Sequence, residues 1–442
     1  MTSPLPPSRR DTPPQPRPGF VPMTVAWVVG VAPVLSLVSN RGLVPLVVLV
    51  AVAVVAAAIR DRRRPWHDGT LPPVLAAGLG ALILWGFASA AWEHTEGLAV
   101  RKALALSAWM ACGSLLLAGF ARLTAADLVR VTRAAAWGIG GAVALAVAEG
   151  WMGMPLTILM NEWRNPDVSV AVNATRFKAG ATVVVLLGIP TVAGLAFRGR
   201  RLAAGVTLVA VIALAVVSSS LSAMLGLGAA VAAAALCLVP RIGTWAVAAA
   251  LVAVLAGVPL LRQLPPTEQL AVSLPYLPNS TLHRTMIWKF AADRIAERPL
   301  LGWGLEGSRA LPGGDDDALV HMHGYIGPAD QPNRPLGLIV QRMQQMPLHP
   351  HNAPLQIWVE LGAIGALLAA AVLLTLLRLA NAAAPAVRAP RVATLAAGFA
   401  MSTVSFGAWQ SWWLMAVWLA ALMAVAFTDP VRLATDRPDA GR

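Results

Sequence analysis

Charge is scarce in this chain. Asp, Glu, Lys and Arg together make up 12% of its 442 residues, where an ordinary soluble domain carries roughly a quarter. With 57% hydrophobic residues beside that deficit, a soluble globular protein is excluded and a membrane protein expected. A helix that crosses hydrocarbon needs about 20 mostly apolar residues, because unpaired backbone amides cannot be left in lipid. Such stretches recur along the chain, whereas the alternation of a β-barrel is lacking. Cysteine is nearly absent: Cys112 and Cys237 both lie inside apolar runs, which argues against a disulfide framework or a metal-ligand pair and for core positions. No small-residue cleavage site follows a short apolar core near the start, so the Pro-rich, basic residues 1–20 read as a disordered cytoplasmic tail. The formal charge of +13 comes from basic residues scattered between apolar runs instead of lining one face, so topology accounts for them and no nucleic-acid partner is expected.

Twelve apolar segments fall near residues 21–38, 42–59, 71–92, 103–121, 134–153, 181–197, 202–218, 223–239, 245–261, 353–377, 393–409 and 411–427. Cytoplasmic loops carry the excess of Lys and Arg. Counting from a cytoplasmic N-terminus, every inside loop is basic, from Arg60, Arg62, Arg63 and Arg64 in the first to Arg378, Arg388 and Arg391 in the last. The predicted organisation is a tail at 1–20, spanning helices one to nine over 21–261, an outside loop over 262–352, helices ten to twelve over 353–427, and a cytoplasmic tail at 428–442. Two outside segments, about 151–180 and 262–352, are too long to be turns. Within the second, Met286, Ile287, Phe290, Ile295 and Ala296 recur at mainly helical spacing and Pro299 follows, which predicts an amphipathic helix.

Five of the seven histidines, His283, His321, His323, His349 and His351, fall in that loop. His321 and His323, with Asp315, Asp316 and Asp317 upstream, read as surface residues or a metal site, though no ligand spacing supports the metal. His351 stands where the tenth apolar run begins, and two readings fit it: a general base, or a histidine capping an interface. Arg284 opens the amphipathic helix, and Arg176 and Lys178 stand at the outer start of the sixth span. Such groups either hold phosphate oxygens at the outer leaflet or anchor the interface. Asn352 either orients a site group or caps the tenth helix. Trp151, Trp163, Trp288, Trp303, Trp358, Trp412 and Trp413 lie near outer boundaries, as an aromatic belt or as stacking platforms for sugars. The apolar runs are nearly free of ionisable residues, which disfavours an ion-coupled transporter or flippase.

At this point the chain resembles the O-antigen ligase and polymerase family of bacterial envelope glycosyltransferases. LHRTMIWKFAADRIAERPLLGWGLEGSR, residues 282–309, is similar to the family's Arg and Trp helix with its Pro-Leu-Leu-Gly-x-Gly turn. His351, Asn352, Gly362 and Gly365 match the ligase signature of His-Asn, nine residues, Gly, two residues, Gly. The resemblance implies an all-α polytopic fold of about twelve helices, GT-C-like, with a large periplasmic loop containing amphipathic helices, set in the bacterial inner membrane with both termini cytoplasmic. It also implies inverting, metal-independent transfer of a glycan from undecaprenyl diphosphate to a sugar hydroxyl of the lipid A core, without a cofactor. The same donor would serve an O-antigen polymerase or a protein O-oligosaccharyltransferase. The family's essential histidine falls on His351 and one essential arginine on Arg284. Family members often carry a second arginine, in a Ser-Arg pair, where this chain reads SSSLSAM with Leu221 near that position. Arg176 and Lys178 are expected to supply the missing cation.

Overall fold

The computed structural model describes residues 19–95, 97–164, 177–239, 242–326 and 334–431. Its helices are α1 (Phe20–Val38), α2 (Leu43–Arg60), α3 (Pro73–Ala88), α4 (Leu98–Ala121), α5 (Ala125–Trp151), α6 (Pro155–Arg164), α7 (Lys178–Phe197), α8 (Arg201–Val217), α9 (Leu221–Leu236), α10 (Gly243–Ala256), α11 (Thr267–Ser273), α12 (Asn279–Glu297), α13 (Ala353–Asn381), α14 (Pro385–Ser402) and α15 (Ser411–Phe427). Each of the twelve apolar segments carries a helix. Seven of these are long and apolar enough to cross a membrane; α8, α9, α10 and α15 are apolar but shorter, and α14 carries Arg388 and Arg391. The protein is a predominantly helical, multi-pass membrane protein. The two tails at 1–18 and 432–442, and residues 165–176 of the first long outside segment, lie outside the described residues.

Local signals set the helix ends. Thr124 and Asp127 close a reciprocal capping box at the start of α5. Pro73, Pro354 and Pro385 sit in the first turns of α3, α13 and α14, where a missing N–H costs nothing. The buried Glu149 accepts from the Leu156 and Thr157 amides at 2.9 Å each, capping α6. In the middle of the bundle α7 packs on α1, α5, α8, α9, α14 and α15, with 72% of its apolar window buried against 17% for the span that includes α3. α3 therefore presents most of its surface outward.

The described residues of 262–352 fold as a cap on the first half of α13. The predicted amphipathic helix is α12, and its Ile287, Phe290, Ala291 and Ile295 pack on Val258, Trp303, Leu311, Met346, Leu355 and Val359. Ala296, which the spacing placed on the apolar stripe, is exposed. The all-α expectation needs one correction, because β1 (Asp317–Ile326) and β2 (Arg334–Gln344) form an antiparallel hairpin. Val320 and Met322 turn inward while Leu319 and Val340 face out. A strand with one apolar face of two residues is too short a pattern to stand out beside its polar neighbours. The eleventh apolar segment also differs from expectation: α14 ends at Ser402, and residues 403–410 run irregularly to α15.

The feature that organises this end of the molecule is a break in α13 at Gly362, whose backbone lies at φ 64°, ψ −164°, a conformation open essentially to glycine alone. In a continuous helix the carbonyls of Val359 and Glu360 would accept from Ala363 and Ile364. Here they accept instead from Trp303 and Gly304 at 2.9 and 2.8 Å, while the Ala363 and Ile364 amides donate to Pro299 and Leu300 at 2.9 and 3.4 Å. The Leu361 carbonyl accepts from Trp85 Nε1 at 3.0 Å. The turn over residues 299–304 is thus spliced into the broken helix. A Cβ on Gly362 would run into the Leu300 carbonyl, and one on Gly302 into Glu360. Replacing Gly362 by Ala should cost on the order of 1–3 kcal/mol in backbone strain alone, lowering the melting temperature of the purified protein. Gly228→Ala, in open space on α9, should be neutral or stabilising, and equal melting temperatures for the two variants would refute the splice as a stability determinant.

Candidate functional site

The spliced turn carries residues 305–310 to the start of α13, and a buried carboxylate ties the pieces together. Glu360, fully buried, accepts four bonds, two on each oxygen: the Glu306 amide at 2.7 Å and Trp409 Nε1 at 2.7 Å on Oε2, and Ser308 Oγ at 2.6 Å and Gln356 Nε2 at 2.9 Å on Oε1. Gln356 Oε1 in turn accepts from the Ala408 amide at 2.8 Å. A carboxylate has four lone pairs, and each has a donor here. The result is a fixed junction of the 299–310 turn, the first half of α13 and the irregular 403–410 segment.

His351 sits on that junction. Its φ is +53°, a left-handed backbone that costs a non-glycine residue roughly 1–2 kcal/mol. Its amide donates to His349 Nδ1 at 3.2 Å, which holds the strained turn. The ring is oriented from the opposite side: Nδ1 lies 3.0 Å from the Ser405 carbonyl. A carbonyl only accepts, so Nδ1 carries the proton and Nε2 is left as the basic nitrogen. His349 packs on His351 at 4.3 Å between ring centroids, and its Nε2 lies 2.9 Å from the Gln410 amide. Because His349 Nδ1 already accepts a hydrogen bond from the His351 amide, its neutral ring carries N–H at Nε2. The Gln410 amide therefore turns its oxygen toward it, an interchange of amide O and N that gives the otherwise unpartnered Oε1 a donor.

The electrostatics keep both imidazoles neutral. Burial pushes His351 below the ordinary histidine value and the charge of Arg284 adds to this, partly offset by the Ser405 carbonyl. Burial, His351 and the charge of Arg309 drive His349 down to about 3. Burial, with His351 and Arg284 after it, also lowers His283, so His283, Arg284, His349, His351 and Arg309 form one electrostatic neighbourhood. Burial alone shifts Arg284, downward, and no acid among the described residues pairs with it.

The residues expected from sequence are therefore partly united. His351 and Arg284, 67 positions apart in the chain, come together. Asn352 lies beside them as a helix cap: its Oδ1 accepts from the Leu355 amide at 3.0 Å, and Ser405 orients the imidazole instead. Lys178 starts α7 at the N-terminus of α9, where Ser220 Oγ donates to its carbonyl at 3.1 Å. Among the described residues no bond joins it to the histidines. Arg176 lies outside the described residues. His321 and His323 are on β1, where their amides donate to Thr267 Oγ1 at 3.2 Å and Asn279 Oδ1 at 2.8 Å. The tryptophans depart from an aromatic belt: Trp303, Trp412 and Trp413 are buried in the protein, and Trp288 and Trp358 donate to the Pro350 and Leu255 carbonyls at 2.9 and 2.8 Å. Trp151 alone of these is widely exposed, at 89%; the Trp163 side chain lies outside the described residues.

Glu360, Arg309, Ser405 and Gln410 were not anticipated. Glu360 left a legible signal, a lone carboxylate inside an apolar run, which by default marks a functional position. Ser405 and Gln410 left none, since one contributes its backbone carbonyl and the other a side-chain amide from a segment that reads as apolar.

Residues 206–370 match the family model described as O-antigen ligase. That stretch holds Arg284, Arg309, both site histidines, Glu360 and the glycine break, and excludes Lys178, Ser405 and Gln410. The chain is similar to the provisionally named polysaccharide ligases of Rickettsia conorii and Rickettsia prowazekii, each 32% identical over 146 residues, which is 33% of this chain and 31% and 32% of theirs. The matched region thus spans about a third of the length of these relatives. Over residues 206–370 the chain is thus similar to the O-antigen ligase family.

Proposed function

We propose that this protein is a membrane glycosyltransferase that moves a glycan from undecaprenyl diphosphate to a sugar hydroxyl of the lipid A core. It would work on the periplasmic face of the bacterial inner membrane, with both termini cytoplasmic and a GT-C-like arrangement of about twelve helices around the capped site. The observation that carries the reading is the His351 tautomer. With Nδ1–H committed to the Ser405 carbonyl, Nε2 is available to accept a proton, and burial keeps the ring neutral beside an arginine without an acidic partner among the described residues.

In the proposed reaction the acceptor hydroxyl gives its proton to His351 Nε2 as its oxygen attacks the anomeric carbon. The new glycosidic C–O bond forms on one face while the C–O bond to phosphate breaks on the other, inverting the centre. The electron pair leaves with the diphosphate, whose growing charge Arg284 stabilises. Lys178, whose backbone carbonyl accepts from Ser220, the residue before Leu221, and Arg176 keep a proposed part in binding that diphosphate. The transporter reading loses ground on a specific point: Glu149 and Glu360 are buried, but each is fixed by several donors, as capping and junction residues are, and so is poorly placed to shuttle an ion.

Purified protein given lipid-linked glycan and lipid A-core acceptor should transfer the glycan, and His351→Ala should reduce the rate by about 100-fold or more, the usual contribution of a positioned general base. Full activity in that variant refutes the mechanism; product extended on its own lipid carrier instead of on the acceptor indicates a polymerase. The pH dependence follows from the direction of the His351 shift. The base must be neutral to act, and its folded-state value lies below 6.5, so the acid limb of kcat/KM should fall below the ordinary imidazole range. An acid limb at or above 6.5 would assign the base elsewhere.

A further inference from the structure

The site holds a second arginine that the transferase reading leaves without a task. Arg309 lies in the short turn Gly307–Ala310, one residue after Ser308, whose hydroxyl is fixed on Glu360, and is near enough to His349 for its charge to act on that ring. Its Nε donates to Glu306 Oε1 at 2.7 Å, and its side chain remains 41% exposed. The same Glu306 oxygen receives Lys102 Nζ from α4 at 3.1 Å. One nearly buried carboxylate therefore serves two cations and leaves an excess of one positive charge.

Glu306 is itself strained into this position, with φ +66°, and is held there by its amide bond to Glu360. Like His351, it is a non-glycine residue in a left-handed backbone at the site, the kind of strain that persists only where surrounding structure over-determines it. The carboxylate occupies one edge of the guanidinium. Among the described residues no bond uses the two terminal nitrogens, which form the fork that suits a phosphate bidentately. The neighbouring His349 is neutral, and Arg284, whose charge acts on His351, has no acid partner among the described residues either.

We propose that Arg309, backed by Lys102 and pre-set by Glu306, forms a second oxyanion-binding position of the site and takes a phosphate group of a substrate. This rests on the transferase reading and deepens it, since the phosphate belongs either to the donor's diphosphate or to a phosphorylated acceptor sugar. Arg284, which acts on His351, and Arg309, which acts on His349, are then two cationic positions of one site.

The test uses the full-length protein in lipid nanodiscs. Transfer kinetics are measured for wild type, Arg309→Ala and Arg309→Lys with lipid-linked donor and with acceptor glycan in phosphorylated and dephosphorylated forms, and binding of geranylgeranyl diphosphate is titrated separately. Loss of a charged contact should weaken the interaction by about 10- to 100-fold in Arg309→Ala, and by less in Arg309→Lys, which keeps the charge without the fork. A raised donor KM together with weakened geranylgeranyl diphosphate binding assigns the donor diphosphate. A raised KM confined to the phosphorylated acceptor assigns the acceptor. Unchanged values for donor, acceptor and prenyl diphosphate in a folded Arg309→Ala protein overturn the proposal. If the wild type transfers nothing while Arg309→Ala still binds geranylgeranyl diphosphate more weakly, the transferase reading fails and the phosphate position stands.

Discussion

The break at Gly362 is the constraint on which the capped end of the protein depends. Interrupting a helix inside an apolar environment leaves carbonyls and amides without partners, and each such group costs on the order of 1–3 kcal/mol or more when buried. The chain resolves this by laying the 299–304 turn into the gap, so that the two donors and two acceptors released by the break find partners on that turn. Only glycine at 302 and 362 lets the two backbones approach closely enough. The exchange fixes residues 305–310 in space and turns Glu360 inward to collect four donors. From that carboxylate the constraint passes through Gln356 and Trp409 to the 403–410 segment, and from Ser405 to His351.

This chain of contacts explains why neutral histidines can stand among cations. An imidazole on a mobile loop near two arginines would turn toward water. Here His349 and His351 are held by backbone and amide partners that leave neither ring free to turn, and burial does the rest, lowering both below the ordinary histidine range. A general base that stays unprotonated near positive charge suits a reaction in which the leaving group brings its own negative charge. The same arginines that would stabilise a departing diphosphate also keep the base in its reactive form.

The helical segments were legible because apolar runs are set by the membrane itself: all twelve carry a helix, seven of them long and apolar enough to cross, and α12 appears where Ile287, Phe290 and Ile295 repeat. His351 and Arg284 were legible through the family signature and Asn352 through its position before a helix. What failed to show was of two kinds. The hairpin at 317–344 has a short alternation surrounded by polar residues, and the connection over 403–410 hides in an apolar composition that reads as helix until its backbone groups are seen to bond Gln356 and His351. The other kind is backbone work. Ser405 matters through its carbonyl and Gly302 through the space it leaves, and neither residue type advertises such a role. Arg309 looked like an unremarkable arginine after a turn, and only the fold shows that its carboxylate partner is shared with Lys102.

Charge accounting carries the synthesis one step further. Near the histidines the described residues place Arg284 and Arg309, with Lys102 joining Arg309 on Glu306, and the carboxylates set against these three cations are Glu306 and the buried Glu360, whose four donors are all neutral. Partly buried cations with no acid nearby are costly when left alone, because their loss of hydration is not repaid by a partner. A fold that keeps them this way, on a turn spliced rigidly into a helix, holds that cost in the empty site and recovers it when an anion arrives. The acid-poor composition with which the chain begins thus has a local counterpart. Where Arg284 and Arg309 gather near the histidines, few carboxylates among the described residues stand by to neutralise them, and a substrate that brings negative charge suits the site.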